Sequence, residues 1–154
     1  MVSAESVPTP RVCSVTDAVT VVGERHSLPI VRELLYGNRR FSEMAEAVGL
    51  SRTLLTARLR RLEAAGVVER RRYNEHPPRD EYFLTQAGHD LLPVLAALKE
   101  WGDAYCRDGI ATAEFQHRCG ATLHVRADCA ACGEEIQFKD LTVVGGTHPP
   151  QVRP

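Results

Sequence analysis

Apolar residues near the amino terminus recur at helical spacing in two short stretches. The stripe of the first stretch ends at Gly23, and its apolar positions are Val15, Ala18, Val19 and Val22. A second helix is predicted from Ser27, its expected N-cap, through Pro29 in the first turn to Gly37 at its end. Its buried face is expected to consist of Leu28, Val31, Leu34 and Leu35. Two short amphipathic helices are therefore predicted first.

The next two predicted helices are separated by a short turn. The third begins after Phe41 with Ser42 as its cap and breaks at Gly49, and its apolar positions are Met44, Ala45 and Val48. Two residues later, Ser51 is expected to cap a fourth helix that continues to Gly66. Two helices joined by a short turn that contains glycine are the pattern of a helix-turn-helix.

A β-hairpin is predicted directly after this pair of helices. Residues 67–74 and 81–84 have strand composition, whereas residues 76–79, with two prolines, are expected not to continue a sheet ladder. Thr85 is then predicted to cap one long helix, with the apolar stripe Leu91, Leu92, Leu95, Leu98, Trp101 and Tyr105. The predicted fold is mainly α with a small β-hairpin wing, a winged helix-turn-helix.

The fourth helix has two chemically different sides. At 100° per residue, the leucines fall together, and they are Leu55, Leu59 and Leu62. Thr53, Ala57 and Arg60 fall opposite, with Thr56 and Arg61 towards the flanks. The major groove of DNA admits such a helix, and arginine suits the edge of guanine. Arg60 is therefore the best candidate for reading a base, followed by Thr53, Thr56 and Ala57.

Other residues of this region are expected to hold phosphate. Ser51 and Arg52 lie at a helix start, where backbone N–H groups and a cation bind anions. Arg58 lies closer to the leucine side, so a salt bridge with a neighbouring acid and a phosphate contact both stay open. Arg79 at the wing tip is placed for the minor groove, the alternative being a rigid solvated turn. The predicted DNA-binding set is Ser51, Arg52, Thr53, Thr56, Ala57, Arg58, Arg60, Arg61, Arg72 and Arg79.

The distribution of charge supports a local DNA-binding surface, although the protein as a whole is not basic. The 154 residues carry a formal net charge of -1, with a pI near 6.6. Between residues 51 and 79, however, arginines outnumber glutamates by eight to three. A solvated arginine face without a ligand is the alternative. The sequence shows no apolar run long enough for a membrane span and no signal-peptide pattern, so a cytoplasmic location is expected.

Several of these segments, in this order, resemble one family of regulators. They are residues 30–35, 40–43, 55–62, 66–70 and 77–85, the last running from Pro77-Pro78-Arg79 into Tyr82 and Leu84-Thr85. Together they are similar to the HxlR type of MarR-like winged-helix regulators, over about residues 13–105. Arg25 and His26 depart from the lysine and tryptophan that the family usually has there, which puts in doubt an effector pocket built around that indole.

The resemblance implies a partner and a signal. It implies a bacterial homodimer, joined through its first and long terminal helices, that binds an inverted-repeat operator in double-stranded DNA, with repression the favoured output. It also implies a response to an oxidant, an electrophile or a small metabolite, in some members through a cysteine at the place of Cys13. Cys13 is a redox-sensing candidate or an inert thiol, and Cys106 is its possible intersubunit partner or a packing residue.

A second cluster of candidate residues lies beyond the resemblance. His117 and Cys119 are followed by Cys129 and Cys132, and four nitrogen or sulfur ligands suit tetrahedral zinc. A small β-rich, zinc-ribbon-like hairpin with a structural zinc ion is one interpretation. Reduced side chains that need no metal are a second, and a dithiol redox switch at Cys129 and Cys132 is a third.

The predicted organisation is a flexible tail (1–12), the winged helix-turn-helix domain (13–106), the Cys/His hairpin extension (107–144) and a disordered tail (145–154). A zinc or thiol enzyme is not expected, because no acid or base is singled out beside an open metal position. The alternative to a DNA-binding regulator is a winged-helix protein-interaction module with a structural zinc hairpin. That alternative predicts a neutral outward face, whereas this chain offers Arg60, Arg61 and Arg79.

Overall fold

The computed structural model describes residues 12–145. Its elements are α1 (Ser14–Val22), α2 (Ser27–Leu35), α3 (Phe41–Val48), α4 (Arg52–Ala64), β1 (Val68–Glu75), β2 (Pro78–Leu84), α5 (Gln86–His89), α6 (Leu92–Cys106) and a 3₁₀ turn (Phe138–Asp140). Except for Val12 and Gly145, the predicted tails, 1–12 and 145–154, lie outside the described residues. None of the described helices has both the length and the apolar content to cross a membrane.

The core forms where α2, α3, α4 and the wing meet. The predicted leucine side of α4 is confirmed, since Leu55, Leu59 and Leu62 are all at most 1% exposed. The other buried apolar residues are Ile30, Val31, Leu34, Met44, Val67, Val68 and Leu84. Ile30 was not predicted in the core, whereas Leu28 and Leu35, which were, are only half-buried. Burial of the α4 leucines fixes which side of that helix faces outward.

Of the caps predicted for the second, third and fourth helices, two are wrong and one is confirmed. His26 caps α2, because its carbonyl accepts the first helical bond from Ile30 (3.0 Å), and Ser27 is buried in the first turn. Arg40 likewise caps α3 in place of Ser42, and its N–H donates to the Glu43 carboxylate at 3.2 Å. Serine is a frequent cap, but the cap is the residue whose backbone turns into the helix. At α4 the cap is Ser51, whose hydroxyl accepts from the Leu54 N–H at 3.3 Å.

The wing is longer than the sequence predicted. The strands β1 and β2 pair antiparallel from Val68 opposite Leu84 to Glu75 opposite Pro78, so residues 78 and 79 do continue the ladder. Pro78 is tolerated because it is the first residue of its strand, where a missing N–H costs little. Only residues 76 and 77 form the turn. Arg79 therefore lies on a paired strand and not in the turn.

A short segment before α3 pairs with the wing. Arg40 forms an antiparallel bridge with Glu81, and the Tyr82 N–H donates to the Arg39 carbonyl at 2.9 Å. This contact ties the first helix of the helix-turn-helix to the hairpin. The described residues thus form the predicted mainly helical fold with a two-stranded wing.

The single long helix predicted after the wing is wrong. Thr85 does act as a cap, because its hydroxyl accepts from the Gly88 N–H at 3.3 Å, but the helix it begins is only α5. Pro93 has no N–H to donate to His89, so a continuous helix would lose that bond. The chain turns at Asp90 and Leu91 and restarts as α6, with Pro93 in its first turn.

The carboxyl-terminal extension consists of two turns. Each is closed by one antiparallel bridge, Gln116 with Thr122 and Asp128 with Glu135. Within the described part of the extension there is no continuous ladder, so the β-rich, zinc-ribbon-like hairpin is not confirmed. The extension contacts α6, where the Val125 N–H donates to the Glu100 carboxylate at 3.0 Å.

Candidate nucleic-acid interface

The outer side of α4 carries small and cationic residues, as predicted. Thr53, Ala57 and Arg60 are exposed, while Thr56 is half-buried and its hydroxyl donates to the Arg52 carbonyl at 2.8 Å. That bond uses the only side-chain donor of Thr56, so its hydroxyl oxygen can still accept a hydrogen bond. Ser51, also exposed, adds the helix start. This side of the helix presents short side chains that would not prevent the helix from entering a DNA groove.

Two of the predicted arginines of α4 are paired with one acid, Glu24. It lies between α1 and α2 and forms ion pairs with both Arg58 and Arg61. The Arg58 side chain is only 21% exposed, against 53% for Arg61. Of the two interpretations left open for Arg58, the structure favours the salt bridge with a neighbouring acid. Arg61 is partly neutralised but still reaches solvent.

The arginines of β1 are also paired. Arg70 lies 3.6 Å from carboxylate oxygens of both Glu63 and Asp80. The Nε of Arg72 lies 3.2 Å from Asp80, which raises the pKa of that guanidinium. Of the predicted DNA-binding set, Arg72 is thus tied to its neighbouring strand. The positive charge of this strand is therefore largely balanced by neighbouring carboxylates.

Arg71 lies on the other face of β1. Its guanidinium forms an ion pair with Glu69 and lies 4.5 Å from the centre of the Phe83 ring. Successive residues of a strand point to opposite faces, and accordingly Arg70 and Arg72 share Asp80 whereas Arg71 does not.

Three of the predicted arginines differ from the rest. Arg52, Arg60 and Arg79 make no ion pair with any residue from 12 to 145, and all three are exposed. They lie at the start of α4, on its outer side and at the wing tip. A guanidinium without a carboxylate partner can bind a phosphate or a base edge without first breaking an ion pair.

The sequence reasoning missed the residues that hold these elements in place. Arg39 lies over the Phe83 ring at 4.6 Å, and Arg40 approaches Glu81 at 3.6 Å. The only signal for them was a basic pair just ahead of a predicted helix. Glu24 gave no signal, because its partners lie more than thirty residues away in the chain. These contacts come from tertiary packing.

Cys13 is exposed and is the N-cap of α1. The pKa of its thiol is lowered by the backbone N–H and then the hydroxyl of Thr16, with a smaller contribution from the Val15 N–H. A lowered pKa increases the thiolate fraction, and the thiolate is the form that reacts with oxidants and electrophiles. Exposure and pKa were the two properties that the sequence could not supply for this residue.

The four predicted zinc ligands lie as two pairs. His117 Nδ1 is 3.1 Å from Cys119 Sγ, and Cys129 and Cys132 lie three residues apart in the other turn, where the Gly133 N–H donates to the Cys129 carbonyl. Between residues 12 and 145, no three His, Cys, Asp or Glu side chains are grouped so that they could hold a metal ion. The donor types suit zinc, but this arrangement does not assemble a tetrahedral site.

Two helices present apolar faces to solvent. On α1, Val15 and Val19 are 70% and 55% exposed, and no residue of this helix is buried. On α6, one side is apolar throughout and outward-facing, and it comprises Val94, Ala97, Leu98, Trp101, Ala104 and Tyr105. Such a continuous exposed face is uncommon on a monomeric protein and typical of an interface.

A groove of about 750 Å³ lies between α2, α6 and the extension. Its wall is mostly apolar and includes Leu28, Leu35, Leu95, Phe115 and Leu123, with Arg32 at the side. This volume is within the range of small-molecule pockets. The extension supplies part of the wall, through Phe115 and Leu123.

Known proteins match this chain over its winged-helix region and beyond. The model of the HxlR-like helix-turn-helix family matches residues 21–109. An uncharacterised HTH-type transcriptional regulator of Mycobacterium tuberculosis is 40% identical over 131 residues, which cover 84% of this chain and 83% of that protein. The likeness to this relative therefore extends outside the segment that the family model matches.

Solved structures agree with this match. PA1607, described as a candidate transcription factor, has a TM-score of 0.76 and 30% identity, over 85% of this chain and 93% of its own. The redox regulator HypR in its reduced form has a TM-score of 0.57 and 30% identity, over 62% of this chain and 96% of its own.

The protein is thus a winged helix-turn-helix transcription regulator and not an enzyme, as the sequence predicted. It belongs to the HxlR-like family.

Proposed function

We propose that this regulator binds an inverted-repeat operator in double-stranded DNA as a homodimer and represses the adjacent genes. In this proposal α4 enters the major groove and the wing tip reaches the neighbouring minor groove. The observation that carries it is the distribution of unpaired charge. Among the described residues, Arg52, Arg60 and Arg79 lack ion pairs, whereas Arg58, Arg61, Arg70 and Arg72 have them.

Each of the three has a different proposed contact. Arg52, in the first turn of α4, joins the helix N-terminus in holding a phosphate. Arg60, two turns further, reads a guanine edge beside the small side chains of Thr53 and Ala57. Arg79 contacts the sugar-phosphate backbone or the minor groove floor beside the wing. The paired arginines contribute to the surrounding field only weakly, because nearby carboxylates offset their charge.

The homodimer is supported by the apolar faces of α1 and α6. A two-fold interface uses the same patch on both subunits, and a dimer built this way reads a two-fold symmetric site. Trp101 lies near the middle of the apolar side of α6, and the centre of its ring is 5.6 Å from that of Tyr105, with the two rings tilted by 40°. Aromatic residues of this kind are frequent at the centre of stable interfaces.

The signal is proposed to be an oxidant or an electrophile acting at Cys13. Exposure and the lowered pKa of its thiol support this role. The matched regulator HypR has been solved in both reduced and oxidised forms. Cys13 and the exposed Cys106 lie on the two elements proposed to form the dimer, so an intersubunit disulfide between them is the proposed product. A metabolite in the groove between α2 and α6 is the alternative signal.

The decisive experiment is a mobility shift on the DNA upstream of the protein's own gene, at two salt concentrations and with or without a thiol oxidant. Specific binding that weakens steeply with salt supports the regulator, because phosphate contacts release counterions. An Arg52→Ala, Arg60→Ala, Arg79→Ala triple variant should lose the shift, while Arg118→Ala, an exposed arginine of the extension, should keep it. Unchanged binding by the triple variant would overturn the proposed interface. No binding to any DNA would favour the interaction module.

A further inference from the structure

The turn that contains Cys129 and Cys132 is held by backbone hydrogen bonds. The Gly133 N–H donates to the Cys129 carbonyl at 2.7 Å, and the Cys129 N–H donates to the Glu134 carbonyl at 2.8 Å. Gly133 has a φ of +76°, which other residues rarely adopt. The first of these bonds closes a single helical turn, so the two cysteines sit three residues apart on one side of it.

This spacing places the two thiols within reach of each other. Residues three apart in a helical turn have Cβ atoms about 5 to 6 Å apart, and a disulfide needs Cβ atoms about 3.5 to 4.5 Å apart, so the turn must tighten by about 1 to 2 Å for the bond to form. Cys132 is exposed and Cys129 is partly so, which leaves the pair open to a small oxidant.

We propose that Cys129 and Cys132 form a reversible intrachain disulfide when a hydroperoxide reaches the extension. This site is separate from Cys13 and does not depend on DNA binding. It lies in the carboxyl-terminal extension, outside residues 21–109, which the family model matches.

The reaction balances with one hydroperoxide molecule. The Cys129 thiolate attacks one peroxide oxygen, the O–O bond breaks, and Cys129 becomes a sulfenic acid while hydroxide (or alkoxide, from an organic hydroperoxide) leaves and is protonated. The Cys132 thiolate then attacks the Cys129 sulfur, an S–S bond forms and a second hydroxide leaves. With hydrogen peroxide, two thiols yield one disulfide and two water molecules. A dithiol reductant reverses the oxidation.

Cys129 is the attacking thiol for a structural reason. Cys129 is the first residue of the helical turn that the Gly133 N–H closes, and a thiolate is stabilised at the N-terminal end of a helical turn. Cys132 is then the resolving thiol. Cys119, in the other turn, has a histidine beside it and no second cysteine. Only the 129–132 turn therefore combines an activated thiol with a resolving one.

The segment that contains the two cysteines is connected to α6 by a hydrogen bond. The Ile136 N–H donates to the Ala127 carbonyl at 2.8 Å at the base of the turn, and two residues earlier the Val125 N–H donates to the Glu100 carboxylate on α6. Tightening of the turn would therefore be transmitted to α6, whose other side is apolar and exposed.

Trypsin makes the site separately measurable. Cleavage after Arg126 and Lys139 yields the peptide 127–139, whose only cysteines are Cys129 and Cys132. Cys13, Cys106 and Cys119 fall in the peptides 12–25, 100–107 and 119–126. The full-length reduced protein is treated with hydrogen peroxide, remaining thiols are alkylated, and the digest is analysed by mass spectrometry. We expect the 127–139 peptide to lose two hydrogens and to recover its thiols with dithiothreitol.

Two variants establish the order of attack. Cys132→Ser should stop at a sulfenic acid on Cys129, which dimedone traps, whereas Cys129→Ser should leave Cys132 at least about tenfold less reactive. Cys119→Ser is the control and should not change oxidation of the 127–139 peptide. Metal content of protein purified without added zinc is measured in parallel. One tightly bound zinc per chain with the pair protected from peroxide, or a 127–139 peptide that keeps both thiols, would overturn the proposal.

Discussion

Glu24, in the turn between α1 and α2, forms an ion pair with Arg58, thirty-four residues further along the chain on α4. The same carboxylate also reaches Arg61. The turn thus fixes one flank of the helix proposed to read DNA, and its carboxylate offsets the charge of two arginines, of which Arg61 still reaches solvent. Which arginines of α4 remain available to a ligand is decided by this contact.

Replacing Glu24 by glutamine should destabilise the protein. Arg58, only 21% exposed, would lose its partner, and an uncompensated, partly buried charge costs about 1 to 2 kcal/mol here, less than the 3 to 5 kcal/mol typical of full burial. Urea unfolding measures the change. Glu46→Gln on α3 is the control, because Glu46 is exposed and has no ion pair among the described residues. Equal stabilities of the two variants would show that the Glu24 pairs contribute nothing.

Replacing Gly88 by alanine should also destabilise the protein. A Cβ at this position would lie 2.4 Å from the Val67 carbonyl oxygen and 2.9 Å from Leu84, so the backbone after α4 must shift. Overpacking of this kind typically costs about 1 to 3 kcal/mol. Thermal unfolding measures the loss. Gly102→Ala on α6, where a Cβ meets nothing within 4 Å, should be neutral or stabilising. A stable Gly88→Ala variant would contradict the close approach.

Arg60 and Arg79 should affect DNA binding differently. Arg60→Ala should cost about 1 to 3 kcal/mol on the operator and relax the preference at one base position, because a base contact is lost. Arg79→Ala should weaken binding more evenly across sequences and reduce the dependence on salt. Fluorescence anisotropy with a set of single-base operator variants at two salt concentrations separates the two. If both changes weakened binding to all sequences equally, Arg60 would not read a base.

Trp101 should control the oligomeric state. Trp101→Glu places a charge in the middle of the apolar side of α6, and a dimer formed there should dissociate to monomers, because the charge would have to be buried without a partner. Light scattering coupled to size-exclusion chromatography measures the mass. Ala87→Glu, at an exposed position on α5, should leave it unchanged. A Trp101→Glu protein of wild-type mass would place the subunit interface elsewhere.

Cys13 should react with iodoacetamide at a lower pH than an ordinary cysteine. Its lowered pKa means that the thiolate is already present as pH rises towards neutrality, and Thr16→Val should move the midpoint of the pH profile upward, because the hydroxyl contribution is lost. Mass spectrometry of the 12–25 peptide follows the alkylation. Thr20→Val is the control, since the Thr20 hydroxyl donates to the Thr16 carbonyl and not to sulfur. Identical profiles for Thr16→Val and wild type would remove the hydroxyl from the mechanism.

Helix content and the orientation of α4 could be predicted because they follow from local patterns. Leucines at helical spacing predict the face that packs on the core, and Leu55, Leu59 and Leu62 do point inward while Thr53 and Arg60 point outward. The wing could be predicted from strand composition, but its last two pairs could not, because a proline at the start of a strand is compatible with pairing and with a turn. The caps of α2 and α3 were misplaced because several neighbouring residues could begin each helix.

By itself, the amino-acid sequence determined the class of protein, since periodicity, turn residues and the order of the motifs are properties of the chain. Only the tertiary structure decided which charges are available, since an ion pair depends on side chains that packing brings together. Arg58 and Arg60 are two residues apart and look alike in the sequence, yet one is held by Glu24 and the other is exposed without an ion pair among the described residues. In the same way, the four predicted zinc ligands lie as two separate pairs, because each turn is closed by its own backbone bonds.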